Sequence, residues 1–313
     1  MRVVFMGTPE FAVPCFKKLN DAHQVVAVVT VPDKPAGRGR QLTASAIKEA
    51  ALVAGIPVLQ PESLKDPVFI SELQALQADL FAVVAFRILP EVVFTMPPMG
   101  TVNLHASLLP HLRGAAPINW ALINGDPRSG ITTFFIEKQV DTGHILLQDE
   151  VSLGEDMTAG ELHDLLSERG AELLLTTLNG IEAGTLQAQQ QKGDVTLAPK
   201  LTRELCLIDW KQPAIKIHNL VRGLSPFPGA FTWLDQKQFK ILRTRVQDES
   251  RQIMEQPGTI ISSDKQECLV ATGQGVIRLL EVKPEGKRAM DIEAFLRGHR
   301  LSVGEQFLDQ PPS

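Results

Sequence analysis

The sequence predicts an α/β protein in which a Rossmann-like domain with a parallel sheet is followed by a small OB-like β-barrel domain. Three observations predict this fold. Short apolar runs alternate with helical patterns in the first half, a segment rich in Gln, Thr and Gly ends the alternation, and five short, evenly spaced strand patterns follow. A chain of 313 residues is long enough for two domains with separate cores.

Each predicted strand of the first half is a nearly continuous apolar run, which is typical of a parallel sheet covered on both faces. These strands are residues 2–6, 25–31, 79–86 and 100–104. Helical patterns at residues 43–54 and 67–75 separate them. In such folds the functional loops lie at the carboxyl ends of the strands. The first turn, residues 6–11, lacks the GxGxxG pattern, which argues against a nicotinamide dinucleotide.

The predicted domains are residues 1–183 and 206–313, joined by a linker at residues 184–205. An amphipathic stretch ends the first domain, and the linker shows no apolar period over most of its length. The second domain begins with a helical pattern near residues 213–223. Its predicted strands are residues 230–234, 239–246, 258–262, 267–271 and 276–282.

Composition argues against several classes of protein. The longest apolar runs are much shorter than the about 20 residues needed to cross a bilayer, and the N-terminus lacks the apolar stretch of a signal peptide. We therefore expect a cytoplasmic protein without a membrane segment. Cys15, Cys206 and Cys268 are odd in number and without CxxC spacing, so we expect reduced, buried thiols and no zinc site.

The net charge of −5 argues by itself against a nucleic-acid partner. The charge is unevenly distributed, however. Residues 1–205 hold 16 Lys and Arg against 23 Asp and Glu, a balance of −7, whereas residues 206–313 hold 15 against 13, a balance of +2. An asymmetry of this size is weak evidence for a binding surface.

A cluster of polar residues ends the fourth predicted strand. Because side chains alternate along a strand, Asn103 and His105 emerge on the same face and can converge on one bound group. An amide donor beside an imidazole suits acyl transfer, since donors stabilise negative charge on oxygen and the imidazole moves protons. Taken alone, such a pair is more often structural than catalytic.

Asp141 lies in the Gly-bearing turn at residues 140–143, after the apolar run at residues 131–136. Two interpretations remain open from the residues. The carboxylate closes a local Asx turn, or it faces His105, orients the imidazole and favours its protonated form.

Two motifs that occur together identify the site more specifically than Asn103 and His105 do alone. The segment NLHASLLPHLRGAAPINWALINGD at residues 103–126, with VDTG at residues 140–143, resembles the folate-dependent formyltransferase family. The resemblance implies that 10-formyltetrahydrofolate is the co-substrate, that no metal is required, and that the catalytic residues are Asn103, His105 and Asp141. It places the folate carrier at Ser107, Leu108, Leu109 and Pro110.

Further segments bear on the acceptor amine. PDKPAGRGR at residues 32–40 and GLSPFPGA at residues 223–230, with APK at 198–200 and IDW at 208–210, resemble the family members that formylate methionine on initiator tRNA. The resemblance implies a tRNA-binding C-terminal domain and tRNA contacts at Lys34, Arg38 and Arg40. We expect a monomer. From the residues alone, residues 32–40 also fit a solvated mobile loop, and residues 223–230 also fit a turn-rich domain junction.

One segment departs from the family pattern. AFRILP at residues 85–90 stands where many relatives have Ala-Tyr-Gly, and the chain has no Tyr, so the pterin contacts stay unassigned. Two alternative functions remain to be tested. One is formyl transfer to a small-molecule amine, such as a purine precursor or an amino sugar, and the other is an RNA-binding or regulatory module with a vestigial site.

Overall fold

The structure is a computed structural model that describes residues 1–36, 41–250 and 254–309. Its contacts divide the chain into two compact units. Unit 1 comprises residues 1–114, 129–151 and 163–197, and unit 2 comprises residues 115–128, 152–162 and 198–313. Two short segments from the first half of the chain thus pack within unit 2.

The elements follow the predicted alternation of strands and helices. The strands are β1 (Arg2–Gly7), β2 (Gln24–Val29), β3 (Lys34–Ala36), β4 (Gln41–Thr43), β5 (Val58–Leu59), β6 (Leu80–Val84), β7 (Thr101–His105), β8 (Arg113–Gly114), β9 (Arg128–Phe135), β10 (Ile145–Ser152), β11 (Leu197–Ala198), β12 (Ala230–Leu234), β13 (Lys237–Asp248), β14 (Ile260–Ser263), β15 (Cys268–Ala271), β16 (Val276–Pro284) and β17 (Met290–Asp291). The helices are α1 (Val13–Ala22), α2 (Ala46–Val53), α3 (Pro67–Ala75), α4 (Glu91–Phe94), α5 (Pro117–Asn124), α6 (Ala159–Glu182), α7 (Ala214–Leu224) and α8 (Ile292–Gly298).

Among the described residues, unit 1 is built on a sheet of order β10-β9-β7-β6-β1-β2-β5. The strands β5, β2, β1, β6 and β7 run parallel to one another, as the sequence predicts. The strand β9 pairs antiparallel with β7, so the sheet is mixed. The apolar pattern of β9 is compatible with a parallel or an antiparallel strand, so the sequence could not predict the direction of this strand.

The core of unit 1 lies on both faces of this sheet. All five residues of β6 are buried, as are Val3 to Met6 in β1, which is why these strands read as continuous apolar runs. The helix α1 contributes Cys15, Phe16 and Leu19 to the core. Burial raises the pKa of the Cys15 thiol to about 12, so this sulfur stays a protonated thiol at neutral pH.

The three cysteines are free and buried, as predicted. Within the described ranges, no helix is both long and apolar enough to cross a membrane. The same residues include no group of three or more His, Cys, Asp or Glu side chains arranged to hold a metal ion.

Unit 2 contains an antiparallel sheet of order β12-β13-β16-β15-β14, with β17 also paired to β16. Each of the five strands predicted for this part of the chain is present. The long strand β13 has register shifts at three places, and bulges of this kind bend a strand and increase its twist. A helix, α7, packs beside the sheet and buries Ile217, Val221 and Leu224.

The segment after α8 hydrogen-bonds near both edges of this sheet. Trp233 of β12 forms a bridge with Leu308, and the two residues exchange backbone hydrogen bonds of 3.0 Å. At the opposite edge, Thr259 bridges Gln306 beside β14. This segment therefore satisfies backbone groups that edge strands otherwise leave unpaired.

The hydroxyl of Thr232 links the segment after α8 to the sheet, and its removal tests how that segment is held. Its Oγ1 accepts a hydrogen bond from Trp210 Nε1 at 3.0 Å and donates one to the Leu308 carbonyl at 2.8 Å. The substitution Thr232→Val keeps the shape but leaves both groups without their partner, which should lower the free energy of unfolding by roughly 1–3 kcal/mol. Thr232→Ser keeps the hydroxyl and should cost much less. Urea unfolding followed by tryptophan fluorescence measures this, because all three tryptophans lie in unit 2; equal loss in both variants would contradict the prediction.

Candidate active site

The predicted pair Asn103 and His105 lies in β7, between β6 and β9. The alternation of the strand puts both side chains on one face. His105 is 7% exposed, whereas Asn103 is half-buried. Within the described part of the chain, the Asn103 side-chain amide has no hydrogen-bond partner, so its donors remain available to a ligand.

His105 is held through one of its ring nitrogens. Nε2 lies 2.9 Å from the carbonyl oxygen of Leu112, which can only accept, so Nε2 carries a proton. Leu112 has a φ of 59°. The other ring nitrogen, Nδ1, lies 3.9 Å from Oδ2 of Asp141, which is ion-pair distance but longer than a hydrogen bond. Nδ1 is therefore the ring nitrogen that faces the carboxylate.

Asp141 faces the imidazole and does not close a local turn. Its Oδ2 accepts a hydrogen bond of 3.0 Å from the backbone N–H of Gly114, 27 residues earlier. Asp141 has a φ of 56°, a conformation that Asp and Asn adopt more readily than most residues. The local bond in this turn comes instead from Thr142 Oγ1 to the Gln139 carbonyl. Of the two interpretations left open by the sequence, the geometry favours the one that directs the carboxylate toward His105.

The loop that carries Asp141, residues 136–144, requires a glycine near its end. A Cβ at Gly143 would lie 1.7 Å from the carbonyl oxygen of Phe135. This close approach accompanies a hydrogen bond from the Phe135 N–H to the His144 carbonyl. The glycine of the VDTG motif is thus explained by the folding of the loop back onto β9.

The segment from Ser107 to Pro110 follows β7 directly. Ser107 is buried and donates its hydroxyl to the His111 carbonyl at 2.5 Å, and Leu109 is buried as well. Leu108 and Pro110 are half-buried. The side chains of Leu108 and Pro110 are therefore more available to a bound molecule than those of Ser107 and Leu109.

The backbone of this segment is fixed by the next two strands. Thr132 of β9 donates its hydroxyl to the Ser107 carbonyl at 2.7 Å and accepts from the Leu109 N–H at 3.1 Å. Gln148 of β10 donates to the Leu109 carbonyl at 3.0 Å and to Thr132 Oγ1 at 2.9 Å. The protein's own side chains thus hold the backbone of this turn.

Two residues of the predicted linker also reach this site. Gln191 donates to the backbone carbonyl of Asp141 at 2.9 Å, and Thr196 Oγ1 accepts from the Leu112 N–H at 2.8 Å. Sequence analysis missed both. Their bonds to this site reach the backbone of Asp141 and Leu112, which no residue pattern specifies.

Lys34 is exposed at the start of β3, whereas Arg38 and Arg40 lie outside the described residues. The chain before Lys34 is anchored at Asp33, which accepts hydrogen bonds from Lys48 Nζ at 2.6 Å and from Gln60 Nε2 at 2.8 Å. These bonds, with that from Lys48 the stronger, lower the pKa of the Asp33 carboxyl. Asp33 is therefore ionised, and its ion-pair partner is Lys48.

The segment at residues 85–90, whose sequence departs from the family pattern, follows β6. Arg87 donates to the carbonyl of Pro61 at 2.9 Å and to that of Glu62 at 3.1 Å, and its guanidinium lies over the Phe86 ring at 5.3 Å. Ala85 has a φ of 48°. This segment is thus tied to the chain after β5 through an arginine side chain.

Comparison with protein-family models gives two matches. Residues 1–178 match the formyl transferase model, and residues 200–300 match the model of the formyl transferase C-terminal domain. The two matches leave only a short segment between them, which includes Gln191 and Thr196.

Relatives of known name cover nearly the whole chain. A methionyl-tRNA formyltransferase of Caldanaerobacter subterraneus subsp. tengcongensis is 47% identical over 97% of this chain and 99% of its own length. The corresponding protein of Alkaliphilus oremlandii is 44% identical over 97% of this chain and 98% of its own length.

Solved structures resemble the chain in fold. The sugar 3N-formyl transferase WlaRD has a TM-score of 0.68 at 16% identity, covering 92% of this chain and 99% of its own. HypX from Aquifex aeolicus in complex with tetrahydrofolic acid has a TM-score of 0.65 at 17% identity, covering 97% of this chain and 50% of its own. At these identities the comparison establishes the fold alone.

The contact of Gly143 with Phe135 generates a stability prediction. Gly143→Ala places a methyl group against the Phe135 carbonyl, so the loop must shift, and we expect a loss of about 1–3 kcal/mol in the free energy of unfolding. Gly298→Ala is the control, because nothing lies within 4 Å of its built Cβ. Chemical denaturation followed by circular dichroism compares the two variants. If Gly143→Ala is as stable as the control, the close approach does not constrain the loop.

Proposed function

The chain belongs to the formyl transferase family, and we propose that it transfers a formyl group from 10-formyltetrahydrofolate to the α-amino group of methionyl-initiator tRNA. Relatives named methionyl-tRNA formyltransferase support this acceptor, since they match over nearly the whole chain. One geometric observation carries the chemistry. An unpartnered amide, Asn103, shares a strand face with His105, whose free nitrogen faces Asp141.

The residues present fit the folate co-substrate. The Asn103 amide needs an acceptor, which a formyl oxygen supplies, and the segment that follows the same strand contains two half-buried apolar residues, Leu108 and Pro110. We place the carrier along Ser107, Leu108, Leu109 and Pro110. When bound, the folate contributes a formyl group attached to nitrogen. Asn103 donates to the formyl oxygen and stabilises the negative charge that develops there during attack.

His105 and Asp141 transfer the protons that the reaction moves. In the balanced reaction, a bond forms between the formyl carbon and the methionyl nitrogen, and the bond from that carbon to the carrier nitrogen breaks. The methionyl ammonium loses two protons, of which one goes to solvent and one to the departing nitrogen. Asp141 accepts the first, and His105 Nδ1 passes the second, because Nε2 is occupied by the Leu112 carbonyl.

We assign residues 1–183 as a Rossmann-like catalytic domain, 184–205 as a linker and 206–313 as an OB-like barrel that binds tRNA. Barrel closure is supported by residues 306–308, which bridge both edges of the unit 2 sheet, and by the bulges of β13. The tRNA contacts are proposed at Lys34, Arg38 and Arg40. The enzyme is proposed to act as a cytoplasmic monomer, a state that analytical ultracentrifugation can test.

Substitution of the three catalytic residues tests the chemistry. Asn103→Ala, His105→Ala and Asp141→Ala should each lower kcat by at least about 100-fold, as expected for loss of an oxyanion donor or a proton-transfer group. The assay supplies 10-formyltetrahydrofolate with charged initiator tRNA, an amino sugar or a purine-precursor amine. Gln190→Ala, an exposed position nearby, is the control. Transfer to a small amine but not to the tRNA would refute the acceptor, and an active His105→Ala variant would refute the site.

Salt titration tests the RNA contacts. Each phosphate contact contributes roughly one unit to the slope of log affinity against log salt. Lys34→Ala should therefore weaken tRNA binding and reduce this slope by about one unit, and adding Arg38→Ala and Arg40→Ala should reduce it further. Lys65→Ala, which removes another exposed lysine of unit 1, should leave the slope unchanged. An unchanged slope in the triple variant would remove this loop from the tRNA interface.

A further inference from the structure

The segment between α6 and β11 is anchored to the elements that carry the active site. Gln189 exchanges backbone hydrogen bonds of 2.7 and 2.8 Å with Ile145, at the start of β10. Further along, the Arg113 N–H donates to the Thr196 carbonyl at 3.0 Å, and β11 pairs with β8. Residues 189–196, called the brace below, thus span from the end of the Asp141 loop to the strand that holds Gly114.

Gln191 lies in the brace and uses its side-chain amide completely. Its Nε2 donates to the backbone carbonyls of Asp141 and Gly143, at 2.9 Å each. Its Oε1 accepts from the guanidinium of Arg113, at 3.2 Å from Nε and 2.5 Å from Nη2. Because Arg only donates, this contact fixes which end of the amide faces the loop. The side chain of Gln191, in the brace, thereby holds the backbone of Asp141 and Gly143.

Thr196 acts on the other side of the imidazole. Its Oγ1 accepts from the Leu112 N–H at 2.8 Å and forms a second hydrogen bond of 2.6 Å with His111 Nδ1, whose direction is set by the tautomer of that ring. Leu112 adopts the left-handed conformation and presents its carbonyl to His105 Nε2. The hydroxyl therefore holds the residue that fixes the proton on the ring.

We propose that Gln191 and Thr196 are positioning residues that hold the two partners of the His105 imidazole. Gln191 sets Asp141 on the Nδ1 side, and Thr196 sets the Leu112 carbonyl on the Nε2 side. Neither residue touches the reacting atoms. The inference rests on the proposed function, because it takes His105 as the proton-transfer group. Displacement of such a group by about 1 Å can cost about 100-fold in rate.

Gln191→Glu tests donation separately from packing. The carboxylate has a similar size and still accepts from Arg113, but it cannot donate to the carbonyls of Asp141 and Gly143. We expect kcat for formyl transfer to fall about 100-fold while KM for charged tRNA changes little, since ground-state binding is left intact. Gln190→Ala, an exposed neighbour in the same segment, should match the native enzyme.

Thr196 allows a test by rescue. Thr196→Val keeps the shape and removes the hydroxyl, so kcat should fall by at least about tenfold. Thr196→Ser restores the hydroxyl and should return kcat to near the native value. A purely space-filling role predicts the opposite order, because Val replaces the volume of Thr better than Ser does.

The outcomes separate this inference from the proposed function. Native kcat in Gln191→Glu or Thr196→Val, together with an inactive His105→Ala variant, would overturn the inference and leave the proposed function standing. An effect confined to KM, or a Thr196→Ser variant no better than Thr196→Val, would also overturn it. Full activity of His105→Ala would instead overturn the proposed site itself.

Discussion

The proposed active site depends on one constraint, which is that the buried imidazole of His105 must keep Nε2 bonded to a fixed acceptor while Nδ1 faces Asp141. A buried N–H without an acceptor is costly, and the Leu112 carbonyl supplies that acceptor. Both Leu112 and Asp141, the residues that flank the ring, have positive φ. This conformation costs roughly 1–2 kcal/mol for most residues, so neighbouring groups must hold it in place. Gly114, Gln191 and Thr196 provide the necessary hydrogen bonds.

Most of the fold could be predicted because its strands are buried in simple ways. Residues 3–6 and 80–84 are covered on both sides and therefore read as continuous apolar runs. Strand β10 was missed because its middle carries three consecutive polar residues, Gln148, Asp149 and Glu150, which interrupt the apolar pattern and resemble a polar loop. The strand β17 is too short, at two residues, to produce a pattern.

The active site could be predicted only in part, for a physical reason. Strand alternation alone places Asn103 and His105 on one face, so this pair follows from local geometry. The position of Asp141 does not, because a carboxylate in a glycine-bearing turn can bond locally or across the fold, and only tertiary packing decides. Gln191 and Thr196 lie in a polar stretch that reads as solvated chain. Their role depends on which backbone atoms pack against them, and composition carries no information about that.

The distance between His105 and Asp141 suits the proposed chemistry better than a direct hydrogen bond would. At 3.9 Å the carboxylate lies close to the ring, yet it leaves the Nδ1 direction open to a substrate nitrogen. If Asp141 closed onto His105, the same nitrogen would be occupied. The Gly114 N–H binds Oδ2 from one side, and the side chain of Gln191 holds the backbone of Asp141 from the other. The brace thus maintains a separation that lets one ring nitrogen exchange protons with the substrate while the other stays fixed.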